Sequence, residues 1–313
     1  MTDARPRADD AVRVSEIAHL ELDVPDLDRA VDFYTEAWGL QPVEDNRSQG
    51  RVGLSTLGTS RPDLYLRHAR DRDLRAIAFA AETRDDLDQL VHRIAATGAS
   101  ILEVSDGVRF TDPDGTQVEL VVASASSSDA RPSDRVRPRK LGHIVLHTGQ
   151  LDAMEQFYAL LGFSVTDRTW AGMSFLRCNS DHHTLALVRT GDTGLQHAAF
   201  DVGTGDDVMV ALGQLRRRGL EPIWGPGRHG PGNNVFIYFE DPAGHIIEYF
   251  GDLQTFETSE PATEPTFWGP EHQGDRWGLA GPPPPQFHVG RARSRGDAGA
   301  PVAGAAPQDE EDN

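Results

Sequence analysis

The chain has 313 residues, 38% hydrophobic and 25% charged, which is the make-up of an ordinary soluble protein with room for two cored domains. Its formal charge of −19 repels nucleic acid and anionic membrane, so neither is an expected partner. Cys178 is the single cysteine, which excludes an internal disulfide or a cysteine-based zinc cluster and fits a reducing cytoplasm.

Residues 1–13, "MTDARPRADDAVR", are polar without an apolar h-region, so they read as a flexible arm rather than a signal peptide. No run of about 18 apolar residues occurs that would span a membrane. From residue 14 the pattern becomes ordered. "IAHLELDV" alternates as a strand and leads into the amphipathic "DLDRAVDFYTEAWG". "AIAFAAE" then opens a second strand, followed by the helical "TRDDLDQLVHRIAATGA" and by "FTDPDGTQVEL".

A Ser/Pro/Arg-rich link at 124–139 ends this first domain, 14–123, and a second domain, 140–252, repeats it. His143 precedes Phe157-Tyr158 by the same 14 residues that separate His19 from Phe33-Tyr34. "HAAFDVGTGDDVMVALGQLRRRGL" pairs with the 76–99 region, and "FEDPAGHIIEY" pairs with "FTDPDGTQVEL". Each half divides again, so the unit is βαβββ, occurring four times. A segment at 253–290 follows, with Trp268 and Trp277 expected to shade the mouth of the second domain and "GLAGPPPPQF" expected as an extended surface stretch. The tail, 291–313, lacks large apolar residues and reads as disordered.

Three polar residues stand out inside apolar strands of the second half: His143 in "LGHIVLHT", His197 in "LQHAAFDV" and Glu248 in "HIIEYF". Strand alternation places His143 on one face with Leu141 and Val145, pointing inward, where an imidazole needs a partner. If the sheets curl into a cup the three converge. Two histidines and one carboxylate form the facial set that leaves metal positions open, as in non-haem Fe(II) oxygenases. The first half is an internal control. It retains His19 and Glu119, but Ala76 falls where His197 does, and Arg109 stands where Tyr238 does. Chemistry is therefore expected in the second half alone.

The ordered motifs "H…FY…LGF", "HxAF" and "DPxGxxxE" resemble the vicinal oxygen chelate superfamily, over roughly residues 14–290. Within it the likeness is to two-domain extradiol catechol dioxygenases. The resemblance implies an α+β fold in which four βαβββ modules pair into two half-open mixed-sheet barrels. It also implies Fe(II), with Mn(II) as an alternative, at His143, His197 and Glu248. Cleavage of a catechol-type diol by O2 beside its hydroxyls, in aromatic catabolism, follows from the same resemblance; exposed sheet edges and the family habit suggest a homo-oligomer, and the cysteine count with the lack of a signal or membrane segment suggests a cytoplasmic one. The stretch "HGPGNNVFIYFEDPAGHIIE" matches the extradiol signature, so the resemblance gives His229 and Tyr238 hydrogen bonds to substrate oxygens. It gives His183 the acid–base role. The neighbouring His182 is separated from it by strand alternation, and the 14-residue spacing to His197 favours His183.

"GPGRHG" and "RWG" look most like the homoprotocatechuate branch, yet the arginine expected five residues before His229 is Trp224. A second arginine place holds Gly274, with Arg276 two residues later, and an asparagine place holds Val145. These departures favour a bare, alkyl- or aryl-substituted catechol over an arylacetate. Two other readings stand: a glyoxalase-like isomerase or lyase on the same metal cup, and a non-catalytic binding protein of this fold.

Overall fold

The computed structural model describes residues 12–57, 59–123, 135–257, 264–272 and 274–288. Most of the expected arm and linker, and the whole tail at 291–313, lie outside the described residues. No described helix is long and apolar enough to cross a membrane.

The first half builds β1 (Val14–Val24), α1 (Leu27–Asp32), β2 (Gln41–Asn46), β3 (Arg51–Ser55) and β4 (Leu64–His68), then β5 (Asp73–Ala81), α2 (Arg84–Ala95), β6 (Leu102–Val104), β7 (Gly107–Thr111) and β8 (Gln117–Val122). The second half repeats this order with β9 (Lys140–Thr148), α3 (Leu151–Leu160), β10 (Ser164–Thr169), β11 (Met173–Arg177) and β12 (Leu185–Arg189). It continues with β13 (Gly194–Gly203), α4 (Gly205–Arg216), β14 (Trp224–Arg228), β15 (Val235–Glu240) and β16 (Ile246–Gly251). The four βαβββ modules are thus present, in the α+β fold expected.

One sheet runs β2-β3-β4-β1-β5-β8-β7-β6; the other runs β14-β15-β16-β13-β9-β12-β11-β10, extended by β17 (Thr266–Trp268). In each, the two modules join through one central antiparallel pair, β1 with β5 and β9 with β13. The helices follow their apolar spacing. Leu87, Leu90 and Ile94 of α2 are buried, as are Val208, Ala211, Leu212 and Leu215 of α4. Both start on a capping box, Thr83 with Asp86 and Thr204 with Asp207, so the duplication extends to the helix N-termini. The segment after α1 departs from α-geometry: Phe33–Ala37 forms a π-turn that buries Tyr34.

The halves lock by exchanging the same contact. Tyr34 of the first donates to Asp241 of the second at 3.0 Å, and Tyr158 of the second donates to Asp112 of the first at 3.2 Å. Both aspartates open the "DPxG" turns, so residues that shape a hairpin also receive the partner half's tyrosine. Trp38 stacks on Tyr249 at 3.7 Å, and a single hydrophobic core runs through both halves.

Burial pushes the Asp112 carboxyl from its ordinary 3.8 up to about 6, against the bonds donated by Thr116 and Tyr158. The folded chain therefore holds this proton more tightly than the unfolded one. The stabilisation is full below about pH 3.8 and is lost as pH rises through about 6, worth on the order of 3 kcal/mol. In Asp112→Asn that component is expected to vanish. Wild type minus variant unfolding free energy, by urea denaturation, should then fall between pH 4 and pH 7.

Candidate metal centre

The three strands β9, β13 and β16 are neighbours, and their register decides the site. Ala199 on β13 pairs with His143 on one side and with Glu248 on the other. His143 and Glu248 therefore flank a methyl group, and His197, two residues earlier on β13, shares that face. A bulge at Gly142 breaks the alternation on β9: Ala199 pairs with His143 but the next residue, Phe200, pairs with Leu141. Leu141 consequently joins the main core with Ile144 and Leu146, while Val145 packs separately with Phe175 and Ala186. The expectation that Leu141 shares the face of His143 fails for this reason. Only glycine fits at 142, because an added Cβ would lie 2.4 Å from the Phe250 ring, which itself sits 4.8 Å from the His143 imidazole.

The ligand atoms of His143, His197 and Glu248 lie within 4.8 Å of one another. Nε2 of His143 is 3.1 Å and Nε2 of His197 3.2 Å from the same carboxylate oxygen, and all three side chains are buried. Gln196 Oε1 accepts from Nδ1 of His197 at 3.0 Å, so the Nε2 facing the carboxylate carries a lone pair and no proton. Burial lowers the His197 pKa and keeps that ring neutral, despite Glu248. Burial also raises Glu248, but the imidazoles of His143 and His197 outweigh it and hold the carboxyl well below its usual range. A lone pair aimed at an anionic oxygen inside a dry site is repulsive unless a cation lies between them. The residues present therefore fit a divalent ion.

Asn234 donates to the second Glu248 oxygen at 3.1 Å and so fixes the carboxylate's rotation. Asn234→Ala is expected to weaken metal binding roughly 10–100-fold, measured by titration against a chromophoric chelator.

Around the triad stand the other sequence-derived candidates. The His183 ring is 4.3 Å from His143. His182 and His183 are not on a strand; they occupy the segment between β11 and β12, and both are buried. Alternation therefore does not separate them. His183 lies against the triad, whereas His182 reaches Asp167. Burial, then the His143 imidazole, lowers the His183 pKa far below its ordinary value, so it is a neutral base.

Tyr238 is the cross-strand partner of Glu248, brought there by the "DPAG" turn. In that turn Asp241 Oδ1 accepts from the backbones of Ala243 and His245, and Gly244 takes φ +88. His229 donates from Nδ1 to the Gly274 carbonyl at 2.8 Å, so its Nε2 accepts from the Tyr238 hydroxyl at 2.9 Å. Burial, and next the Glu248 charge, raises the Tyr238 pKa well above its ordinary value, and burial lowers that of His229. Both are neutral at pH 7, with one hydroxyl proton between them.

The wall beyond is aromatic. Trp224 stacks on Tyr238 at 5.3 Å, Phe236 on His229 at 3.9 Å, and Phe287 meets Tyr238 at 4.9 Å. Phe287 belongs to the proline-rich stretch expected at the surface, yet it is buried and its carbonyl accepts from Gln196. Trp268 packs on Gly230, beside His229. Trp277 is 45% exposed, with the Arg228 guanidinium over its ring. Gln196, Asn234 and Phe287 escaped the sequence reading. Only Asn234 carried a signal, as a polar residue beside an apolar strand within the motif.

In the first half, His19 and Glu119 lie 3.6 Å apart. Ala76 holds the place of His197, two residues before Ala78, which pairs with both His19 and Glu119. Arg109, the cross-strand partner of Glu119, donates to it from Nε at 2.8 Å, so an arginine supplies the positive charge there.

The paired βαβββ sheets and their buried triad define a class, and comparison with known proteins agrees. The chain belongs to the Glyoxalase/Bleomycin resistance protein/Dioxygenase superfamily, matched over residues 16–120 and 140–249. Metapyrocatechase 2 of Cupriavidus necator is 30% identical over 303 residues, covering 86% of this chain and 92% of the relative. The Mn(II)-bound glyoxalase structure from Novosphingobium aromaticivorans is 32% identical with a TM-score of 0.79, covering 91% of this chain and 97% of that one. Homoprotocatechuate 2,3-dioxygenase from Arthrobacter globiformis shares the fold, with a TM-score of 0.80 at 21% identity over 89% of this chain and 91% of that one.

Proposed function

We propose that this chain is a non-haem Fe(II)- or Mn(II)-dependent extradiol dioxygenase that opens a catechol-type ring beside its hydroxyls. The single observation that carries the reading is the triad of His143, His197 and Glu248 with His183, His229 and Tyr238 gathered about it. Bound there, the ion would acidify a coordinated hydroxyl and bring diol and O2 together. The catechol gains both oxygen atoms and becomes a muconic semialdehyde, so no outside reductant is required.

The chain's own residues have separable tasks. His183, neutral and beside His143, takes a proton from the substrate and later returns it. Tyr238, kept protonated, turns its one hydroxyl proton from His229 Nε2 to charge developing on a substrate oxygen, and His229 holds that hydroxyl in place until then. Trp224, Phe236 and Phe287 exclude water from the reacting ring.

The substrate is a catechol that is bare or carries an alkyl or aryl group. Trp224 walls the place where a carboxylate-binding arginine would stand. Arg228 is held by Asn233 and Asp252, and Arg276 by Asn233. Among the described residues β2, β6 and β14 stand at sheet edges, which fits a homo-oligomer that sedimentation would reveal.

A glyoxalase-like reading is favoured by the likeness to the Novosphingobium structure. It differs in a decisive respect, because proton transfer between carbons consumes no oxygen. Anaerobically prepared protein loaded with Fe(II) or Mn(II) should take up one O2 per catechol and yield a yellow product. Oxygen uptake absent from the whole panel of catechol, 3-methylcatechol and homoprotocatechuate would sink the dioxygenase reading. Homoprotocatechuate as the best substrate would sink only the apolar assignment.

A further inference from the structure

Asp167 and His182 are both buried, and neither has a task in the mechanism above. We infer that they fix which ring nitrogen of His183 carries its proton, an inference that rests on His183 being the acid–base residue. The argument starts at Trp268, whose indole can only donate. It donates to Asp167 Oδ2 at 2.6 Å, so that oxygen is an acceptor. Nε2 of His182 lies 3.2 Å from the same oxygen and must therefore donate to it.

With its single ring proton on Nε2, His182 has a bare Nδ1. That atom lies 3.1 Å from Nδ1 of His183, so His183 must donate across the gap. Nε2 of a neutral His183 is then bare, the form in which it takes a proton. One carboxylate thus sets the tautomer of a base two rings away, as an aspartate does for the histidine of a serine protease.

The rest of the pocket holds the two rings in line. Phe256 stacks on His182 at 5.8 Å, and Phe175 meets His183 at 5.1 Å. At Gly232 an added Cβ would lie 3.2 Å from the His183 ring and 3.3 Å from Nδ1 of His182, so glycine lets the loop close over the pair. His182 is a positioning residue on this account. A core histidine paired to a carboxylate would need neither the second ring nor its Nδ1 contact.

The test is the side-chain 15N spectrum of His183 in protein loaded with diamagnetic Zn(II), paired with kinetics of the Fe(II) or Mn(II) enzyme. Wild type is expected to show the proton on Nδ1 alone. His182→Phe should give mixed tautomers and a kcat lower by roughly 10–100-fold, with KM and metal content unchanged. His182→Gln, whose amide can donate to Asp167 and accept from His183, should regain both the single tautomer and most of kcat. A proton on Nε2 in wild type overturns the inference without any variant. So does a His182→Phe protein whose His183 spectrum is unaltered. Wild-type protein that consumes no O2 with any catechol would instead count against the dioxygenase reading, and the tautomer result would stand apart from it.

Discussion

Glu248→Ala is expected to leave a folded chain that no longer retains a divalent ion and no longer opens a catechol ring. The carboxylate is the only anion among the three converging side chains, and one of its oxygens faces Nε2 of both histidines. Removing it strips the charge that makes the site attractive to a cation. Loss of a ligand itself should cost more than the roughly 10–100-fold in affinity that a residue supporting a ligand contributes. The alternative sink for a metal, His19 with Glu119, is held by Arg109 and should not compensate. Inductively coupled plasma analysis after anaerobic loading gives the metal content, and an oxygen electrode gives the activity. A Glu248→Ala protein that keeps a stoichiometric ion would place the centre elsewhere.

The second large effect is expected to separate chemistry from metal binding. His183→Phe keeps an aromatic ring against His143 and Phe175 but removes both nitrogens. Metal content should remain that of the wild type, while kcat falls by roughly 10²–10⁴-fold, the usual contribution of a positioned acid–base group. KM should change little, because on the proposed reading the metal and Tyr238 hold the substrate's oxygens whether or not this ring can take the proton. Steady-state kinetics beside metal analysis checks the separation. A matched loss of metal would reassign His183 to holding the centre together.

Much of this architecture is written locally in the chain. The alternation of "LGHIVLHT", the helical spacing of "LDAMEQFYALLG" and the "DPxG" turns depend on neighbours a few residues apart, so they survive without any knowledge of the fold. Repetition adds a further signal, since a strand residue at one place in a module keeps its place in the next. Ala76 could be assigned to the position of His197 from sequence, and the register through Ala78 and Ala199 agrees.

The sequence alone therefore determined the four modules, which three residues converge, and the alanine that leaves one half without its second histidine. Tertiary structure decided the rest, each time through a partner distant in the chain. Tyr34 finds Asp241, Tyr158 finds Asp112, and Phe287 returns from a proline-rich stretch to close the wall beside His197. The bulge at Gly142 turned Leu141 away from His143, because the Phe250 ring fills the space above the glycine. Which of two adjacent histidines faces the triad was settled by Asp167 and Trp268, which lie 15 and 86 residues from His182. Strand periodicity cannot carry that information, because the pair sits between strands, where ring direction follows from packing rather than from a repeating backbone.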